Sequence, residues 1–308
     1  MKFFLAVTDD DWFHFLAHHE PDEVNFWRPS STTNFKAIPE GAPFLLKLHS
    51  PNNYVVGGGF FVRHSILPLS LAWDAFKIKN GAATYDRFRE LIVKLRKDNV
   101  LNPSIGCTIL TEPFFFDRQD WIPVPSNWSK NIVQGKTYNT NDVIGDRLWS
   151  QVQERLTDIE ANSKEPELVF QEEGERYGKK YEIRSRIGQG AFRVLVTDSY
   201  SRRCSITGEK TLPVLEAAHI KPYSESGPNL TSNGLLLRSD MHILFDKGYM
   251  TITNDLNIEI SQRIREEYEN GKEYYAFHGK ELSQIPTSLN EQPSATFLEW
   301  HQENIYQS

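Results

Sequence analysis

Only two cysteines occur in 308 residues, Cys107 and Cys204, and they are far apart. That excludes a disulfide framework and a four-cysteine zinc site, and it fits a reducing compartment. No apolar run approaches the ~20 residues that span a bilayer, so no membrane partner is expected. Positive charge is short as well: 34 Lys and Arg stand against 41 Asp and Glu, a net charge of −7. Indiscriminate DNA binders are usually basic, so any nucleic-acid surface here must be a local patch. The opening MKFFLAVTDDDW turns acidic at once and has no small-residue cleavage site, so it reads as a first strand and not a signal peptide, and a cytoplasmic location is expected. The rest of the composition is ordinary, 39% hydrophobic and 24% charged, on a chain long enough for two cores.

The most informative stretch is LEAAHIKPYSESGPNLTSNGLLLRSDMHILFDKGY, from Leu215 to Tyr249. An apolar run ends at His219, and Lys221-Pro222 forces an extended exit, which places the imidazole where a strand opens into a loop. Asn233-Gly234 then turns into Leu235 to Leu237, which returns beside the first run as a hairpin. Ser239 suits an N-cap and Gly248 the position past a helix end, so a short helix is expected over 240–247. On it, His242 and Asp246 lie four apart on one face, where an imidazole nitrogen and a carboxylate oxygen can converge on one divalent ion. His219, with an ordinary pKa near ~6.5, is left free to take a proton from water, as metal-assisted phosphodiester hydrolysis requires. A lone His on an apolar run, or a lone His-x-x-x-Asp pair, is ordinarily structural; the joint order is what sets these apart.

With His219, Asn233 and His242 in this order, the stretch resembles the HNH or ββα-metal nucleases, and the text AAHI…N…NGLLL…H…FD resembles their restriction-type branch. The resemblance implies that His219 is the general base, that Asn233 fixes the loop and the base's orientation, and that His242 binds metal, with Asp246 as a second ligand. It also implies a Mg²⁺ or Mn²⁺ cofactor, with Co²⁺ or Ni²⁺ workable through the nitrogen ligand. Many members carry Asp or His immediately before the base, where this chain has Ala218. Glu216 is a doubtful substitute, roughly 6 to 7 Å lower at strand rise. Arg202, Arg203, Lys221, Arg238 and Lys247 flank the stretch and are candidate DNA-backbone contacts, each with a solvated mixed-charge face as the plain alternative.

The first 140 residues or so hold short apolar runs such as PFLLKLH, YVVGGGFFV and GCTILTEPFFF, broken by Gly, Pro and Asn, with one helical stretch at 85–97. An α+β domain around a curved sheet or small barrel is expected. Aromatics concentrate here, and most must be core, but Trp27 in NFWRPS and Trp73 in LAWDAF could stack a base. Through FFLAVTDDDW, VNFWRPS, FLLKLHSPNNYVVGGGFF and FFFDRQDWIPVP, this part resembles the PUA-like group with EVE and ASCH domains, small β-barrels that accept a flipped modified base. The resemblance implies a pocket, for which Asn25, Trp27, Arg28, Trp73 and Asp74 are the candidates.

The expected organisation is therefore α+β in three parts: a PUA-like small β-barrel over 1–145, a helical linker over 146–180, and a ββα-metal HNH domain over 181–308. The amphipathic helix expected at 146–162 is a candidate for inter-domain packing or a homodimer interface, against plain packing on its own domain. GQGAF at Gly188 to Phe192 is not GxGxxG and has no P-loop lysine, so it is read as opening a helix over 191–200. His278 and His301 have no partners at metal spacing. The whole chain resembles modification-dependent restriction endonucleases, which implies double-stranded DNA carrying a modified base, such as 5-methyl- or 5-hydroxymethylcytosine, as the partner. The alternative, kept open by Ala218, is a non-catalytic reader of modified DNA whose HNH fold has decayed.

Overall fold

The apolar runs of the N-terminal half become strands in which both faces are buried, so they read as continuous hydrophobic text and not as an alternation. In the computed structural model these are β1 (Lys2–Thr8), β2 (Glu23–Arg28), β3 (Pro43–Leu48), β4 (Tyr54–Pro68), β5 (Ser104–Phe115), β6 (Ile122–Pro123) and β7 (Gly135–Asn139). The structure describes residues 1–30, 34–96, 98, 100–162 and 187–308. Two units divide the chain, Met1–Leu69 with Phe76–Ile183, and Ser70–Ala75 with Arg184–Ser308.

In the first unit the strand order is β2-β5-β4-β3-β1-β7, with β6 pairing on β4. β1 and β3 run parallel; the other pairs are antiparallel. Period-two alternation along β1 sends Phe4 and Ala6 to one core, with Phe13 and Leu16 of helix α1 (Asp10–His19), while Phe3 and Leu5 enter the other. The second core is closed by Leu148 and Val152 of α4 (Val143–Asn162). Helices α2 (Leu69–Phe76) and α3 (Tyr85–Arg96) lie between β4 and β5 in the chain. Gly57 lets two backbones approach: a Cβ there would stand 2.3 Å from the Phe114 carbonyl oxygen.

Two expectations change. The strands do not form a closed small barrel: among the described residues the pairing path is open, ending at β2 and β7. With helices covering both faces, the sheet buries its apolar surface without closing on itself. The helix assigned to a linker instead belongs to the first unit's core, since Leu148 and Val152 are 2% and 0% exposed. Burying two such side chains stabilises by about 3 to 6 kcal/mol together, which fixes α4 on its own sheet. That face is thereby used, and it is not available as a dimer interface. The rest of the expected linker, from 163, lies outside the described residues.

The second unit opens with α5 (Gln189–Ser199), then the antiparallel pair β8 (Leu215–His219) and β9 (Gly234–Arg238), and α6 (Ser239–Asp246). A small hairpin follows, β10 (Met250–Ile252) on β11 (Ile258–Ile260), then α7 (Arg263–Tyr268), α8 (Lys272–Tyr275) and α9 (Ala295–Asn304). Phe192, Val196, Tyr200, Leu235 to Leu237, Met241, Phe245, Ile252 and Leu298 share one core. Cys204 is buried in it, and its sulfur accepts from the Arg238 amide at 3.3 Å. Gly234 does not make the expected tight turn, because its φ is −130°, an extended value. It is needed for space: a Cβ there would meet Val196 Cγ2 at 2.5 Å.

Candidate active site

β8, β9 and α6 hold the expected residues together because α6 starts directly where β9 ends, at Arg238, and so folds back over β8. The register pairs His219 with Gly234 and Glu216 with Leu237. His219 is half-buried, its ring stacked on Phe192 of α5 at 3.9 Å and 11°. Its Nε2 lies 2.8 Å from Asn229 Oδ1, while the Asn229 amide donates to the Ile187 carbonyl at 2.6 Å. Oδ1 is therefore the acceptor, Nε2 carries the hydrogen, and Nδ1 keeps its lone pair. Burial holds His219 below the usual imidazole range; the Asn229 hydrogen bond opposes this, His242 adds to it and Asp246 opposes it. The imidazole is thus neutral, with a free basic nitrogen, at neutral pH.

Asn233 is fully buried and binds the loop and not His219. Its Oδ1 accepts from the Lys221 amide at 2.9 Å, and its Nδ2 donates to the carbonyls of Lys221 at 3.0 Å and Pro228 at 2.9 Å. Asn233 was expected to fix both the loop and the orientation of His219; its side chain bonds the loop backbone, and the side chain bonded to His219 is that of Asn229, which carries no mark in the sequence. An Asn in a polar loop carries no periodic signal, so only its contact reveals it.

His242 Nδ1 donates to Glu216 Oε2 at 2.6 Å, and Ser239 Oγ lies 3.1 Å from Glu216 Oε1. The hydrogen bond from His242 is the largest cause holding the Glu216 carboxyl below the usual carboxylate range. Ser239 makes no side-chain cap on α6; Arg238 is the cap residue. His242 Nε2 and Asp246 Oδ2 stand 3.3 Å apart. Partial desolvation raises the Asp246 carboxyl above its usual range; His242 pulls it down and Glu216 pushes it up.

Residues 204–253 match the family model for HNH endonuclease. No curated protein matches the chain. A solved structure titled "Modification dependent TagI restriction endonuclease" is similar at a TM-score of 0.28 and 14% identity, over 92% of this chain and 75% of that one.

In this HNH segment no group of three or more His, Cys, Asp or Glu that could hold a metal ion occurs among the described residues. The donor set nevertheless suits a divalent ion. With Nδ1 held by Glu216, His242 turns its Nε2 towards the Asp246 carboxylate, the arrangement in which an outer carboxylate orients a metal-binding histidine. Ala218 is fully buried in the core and supplies nothing.

Two adjoining clefts share Ala217, His219 and Tyr223. One, of about 220 Å³, is lined also by His242 and Asp246; the other, of about 340 Å³, by Glu216 and by Gln189 and Arg193 of α5. None of Arg202, Arg203, Lys221, Arg238 and Lys247 lines either cleft. Arg202 is paired with Asp198 at 3.3 Å and Arg238 with Asp240 at 2.6 Å, and Lys221 lies over the Trp300 ring at 5.3 Å. His301 lines the smaller cleft but is buried: Nε2–H donates to the Phe245 carbonyl at 3.1 Å and Nδ1 accepts from Thr251 Oγ1, with burial pushing it down to about 4. His278 Nδ1 accepts from the Ile260 amide.

The first unit carries an open cleft of about 960 Å³, with Trp12, Trp27, Asp10, His49, Arg87 and Lys94 among its walls. Of the five expected pocket residues only Trp27 lines it, its indole Nε1 donating to the Asn80 carbonyl at 2.8 Å and its ring edge-on to Phe88. Asn25 is wholly buried, its amide on Asn80 Oδ1 and Cys107 Sγ. Strand alternation sends Arg28 to the other face, over the Phe35 ring at 5.7 Å. Trp73 and Asp74 lie on α2, in the Ser70–Ala75 segment of the second unit. No helix among the described residues is long and apolar enough to cross a membrane.

Proposed function

We propose that this protein is a metal-dependent DNA endonuclease that restricts DNA carrying modified bases. The observation that carries the reaction is the tautomer of His219 fixed by Asn229, in a residue that lines the same cleft as His242 and Asp246. Nδ1 takes a proton from the water that attacks phosphorus, and the P–O bond opposite breaks. His242 and Asp246 would hold the Mg²⁺ or Mn²⁺, which when bound stabilises charge on the phosphate and the leaving oxygen. Glu216 orients His242, Asn229 orients His219, and Asn233 holds the loop between them.

The modified-base part of the proposal rests on the cleft of the first unit. Its size exceeds what a nucleobase needs, and Trp27 gives it an aromatic wall on which a flipped base can stack. A soluble, double-stranded DNA substrate of this kind asks for weak background affinity, which the net charge of −7 supports.

Plasmids with and without cytosine modification, incubated with Mn²⁺ or EDTA, test both parts. Cleavage is expected with Mn²⁺ on modified DNA, is abolished by EDTA, and is lost in His219→Ala while DNA binding persists. Retained cutting by His219→Ala removes the base assignment. Binding of modified DNA without any cutting by the unaltered chain would favour the reader whose HNH fold has decayed.

A further inference from the structure

The residues flanking the HNH segment that looked basic in sequence are engaged elsewhere or lie off the clefts, which leaves the substrate phosphate without an evident cation. Arg193 is the exception. It stands on α5, four residues after Gln189 and so on the same face, and both line the cleft that contains Glu216, His219 and Tyr223. The guanidinium makes no hydrogen bond or ion pair among the described residues, unlike those of Arg202 and Arg238. The residue before it, Phe192, carries the stack on the His219 ring. One rigid helix therefore positions both the base and a half-exposed cation over the same cleft.

Resting on the nuclease reading above, we infer that Arg193 binds the scissile phosphodiester, presenting its planar fork to the non-bridging phosphate oxygens beside His219. Charge supports this. Glu216 and Asp246 carry two negative charges that a divalent ion balances, and a phosphodiester then brings one more. Arg193 is what neutralises it, since a guanidinium is weakly hydrated for a cation and this one breaks no ion pair among the described residues when it takes up a phosphate. The interaction strengthens as the phosphate gains charge during attack, so the residue acts on the reaction as well as on binding. Tyr223, 63% exposed and shared by both clefts, is an aromatic surface beside which the backbone would lie. A neutraliser of Glu216 alone would also place an arginine here, and the two roles differ in what they do to metal binding.

The test uses the full chain as Arg193→Gln and Arg193→Lys, with His219→Ala alongside. Arg193→Gln should lower kcat/KM for plasmid cleavage about 10²-fold, the size seen when one donor to a developing charge is removed. Its Mn²⁺ affinity, read by the EPR signal of free Mn²⁺, should stay within about twofold, and the melting temperature should not move. The slope of log affinity for DNA against log salt should become shallower by about 0.9, one phosphate contact, with His219→Ala keeping the full slope. Arg193→Lys should recover part of the rate, because a point charge replaces the fork. Wild-type rate and slope in Arg193→Gln overturns the inference, and so does a loss of Mn²⁺ affinity of tenfold or more, which would assign Arg193 to Glu216. If the unaltered chain cuts nothing, the nuclease reading fails, and the salt slope still decides whether Arg193 holds a phosphate.

Discussion

Replacing Asn229 with alanine removes the acceptor that fixes the His219 tautomer. The Nε2–H···Oδ1 bond is 2.8 Å long and half-buried, so it contributes about 1 kcal/mol net, which corresponds to roughly a fivefold bias in population. Asn229→Ala is therefore expected to lower kcat about fivefold to tenfold, far less than the 10²-fold or greater loss from removing the base itself. The pH dependence carries a sign. As the proposed base, His219 must be neutral to act, so the rate is expected to rise with pH through its pKa, and burial already holds that pKa below the usual imidazole value. The Asn229 bond is the largest cause acting in the opposite direction. Its loss should move the acid limb of the kcat profile to lower pH, whereas Asn229→Asp, which keeps an acceptor and adds a negative charge, should move it to higher pH. The assay is single-turnover cleavage with saturating Mn²⁺ between about pH 4.5 and 8. An unchanged limb in both variants, or an upward shift in Asn229→Ala, refutes the assignment of Nδ1 as the free basic nitrogen.

Metal binding separates ligands from their support: His242→Ala and Asp246→Ala should each weaken Mn²⁺ affinity about tenfold or more by calorimetry, and Glu216→Gln should weaken it less while leaving binding stoichiometry intact. A silent Asp246→Ala at limiting metal would make Asp246 structural. In the first unit, Trp27→Ala should cost about 1 to 3 kcal/mol of discrimination between modified and plain duplexes if a base stacks there. A large drop in melting temperature with an unchanged affinity ratio would instead place Trp27 in the core alone.

The part of this protein written in local sequence is the part whose geometry is local. His242 and Asp246 share a face because α-helical spacing of four residues brings any such pair together. His219 ends a strand because an apolar run meets Lys221-Pro222, and the helices at 85–96 and 143–162 follow from their own periodicity. Tertiary structure decided the rest. Glu216, judged too far along its strand, reaches His242 because α6 folds back over β8, and distance along a strand says nothing about distance across that fold. Asn229 bonds His219 from a loop, and Arg193 lines the same cleft from a helix outside the HNH segment, with no periodic mark on either. Arg202 and Arg238 look like phosphate contacts until the acids at 198 and 240 claim them. The choice between an open sheet and a closed barrel was likewise not legible, since the short, continuously hydrophobic runs suit either one. Which one forms depends on whether α1 and α4 can bury its two surfaces, and that is a property of packing between distant segments.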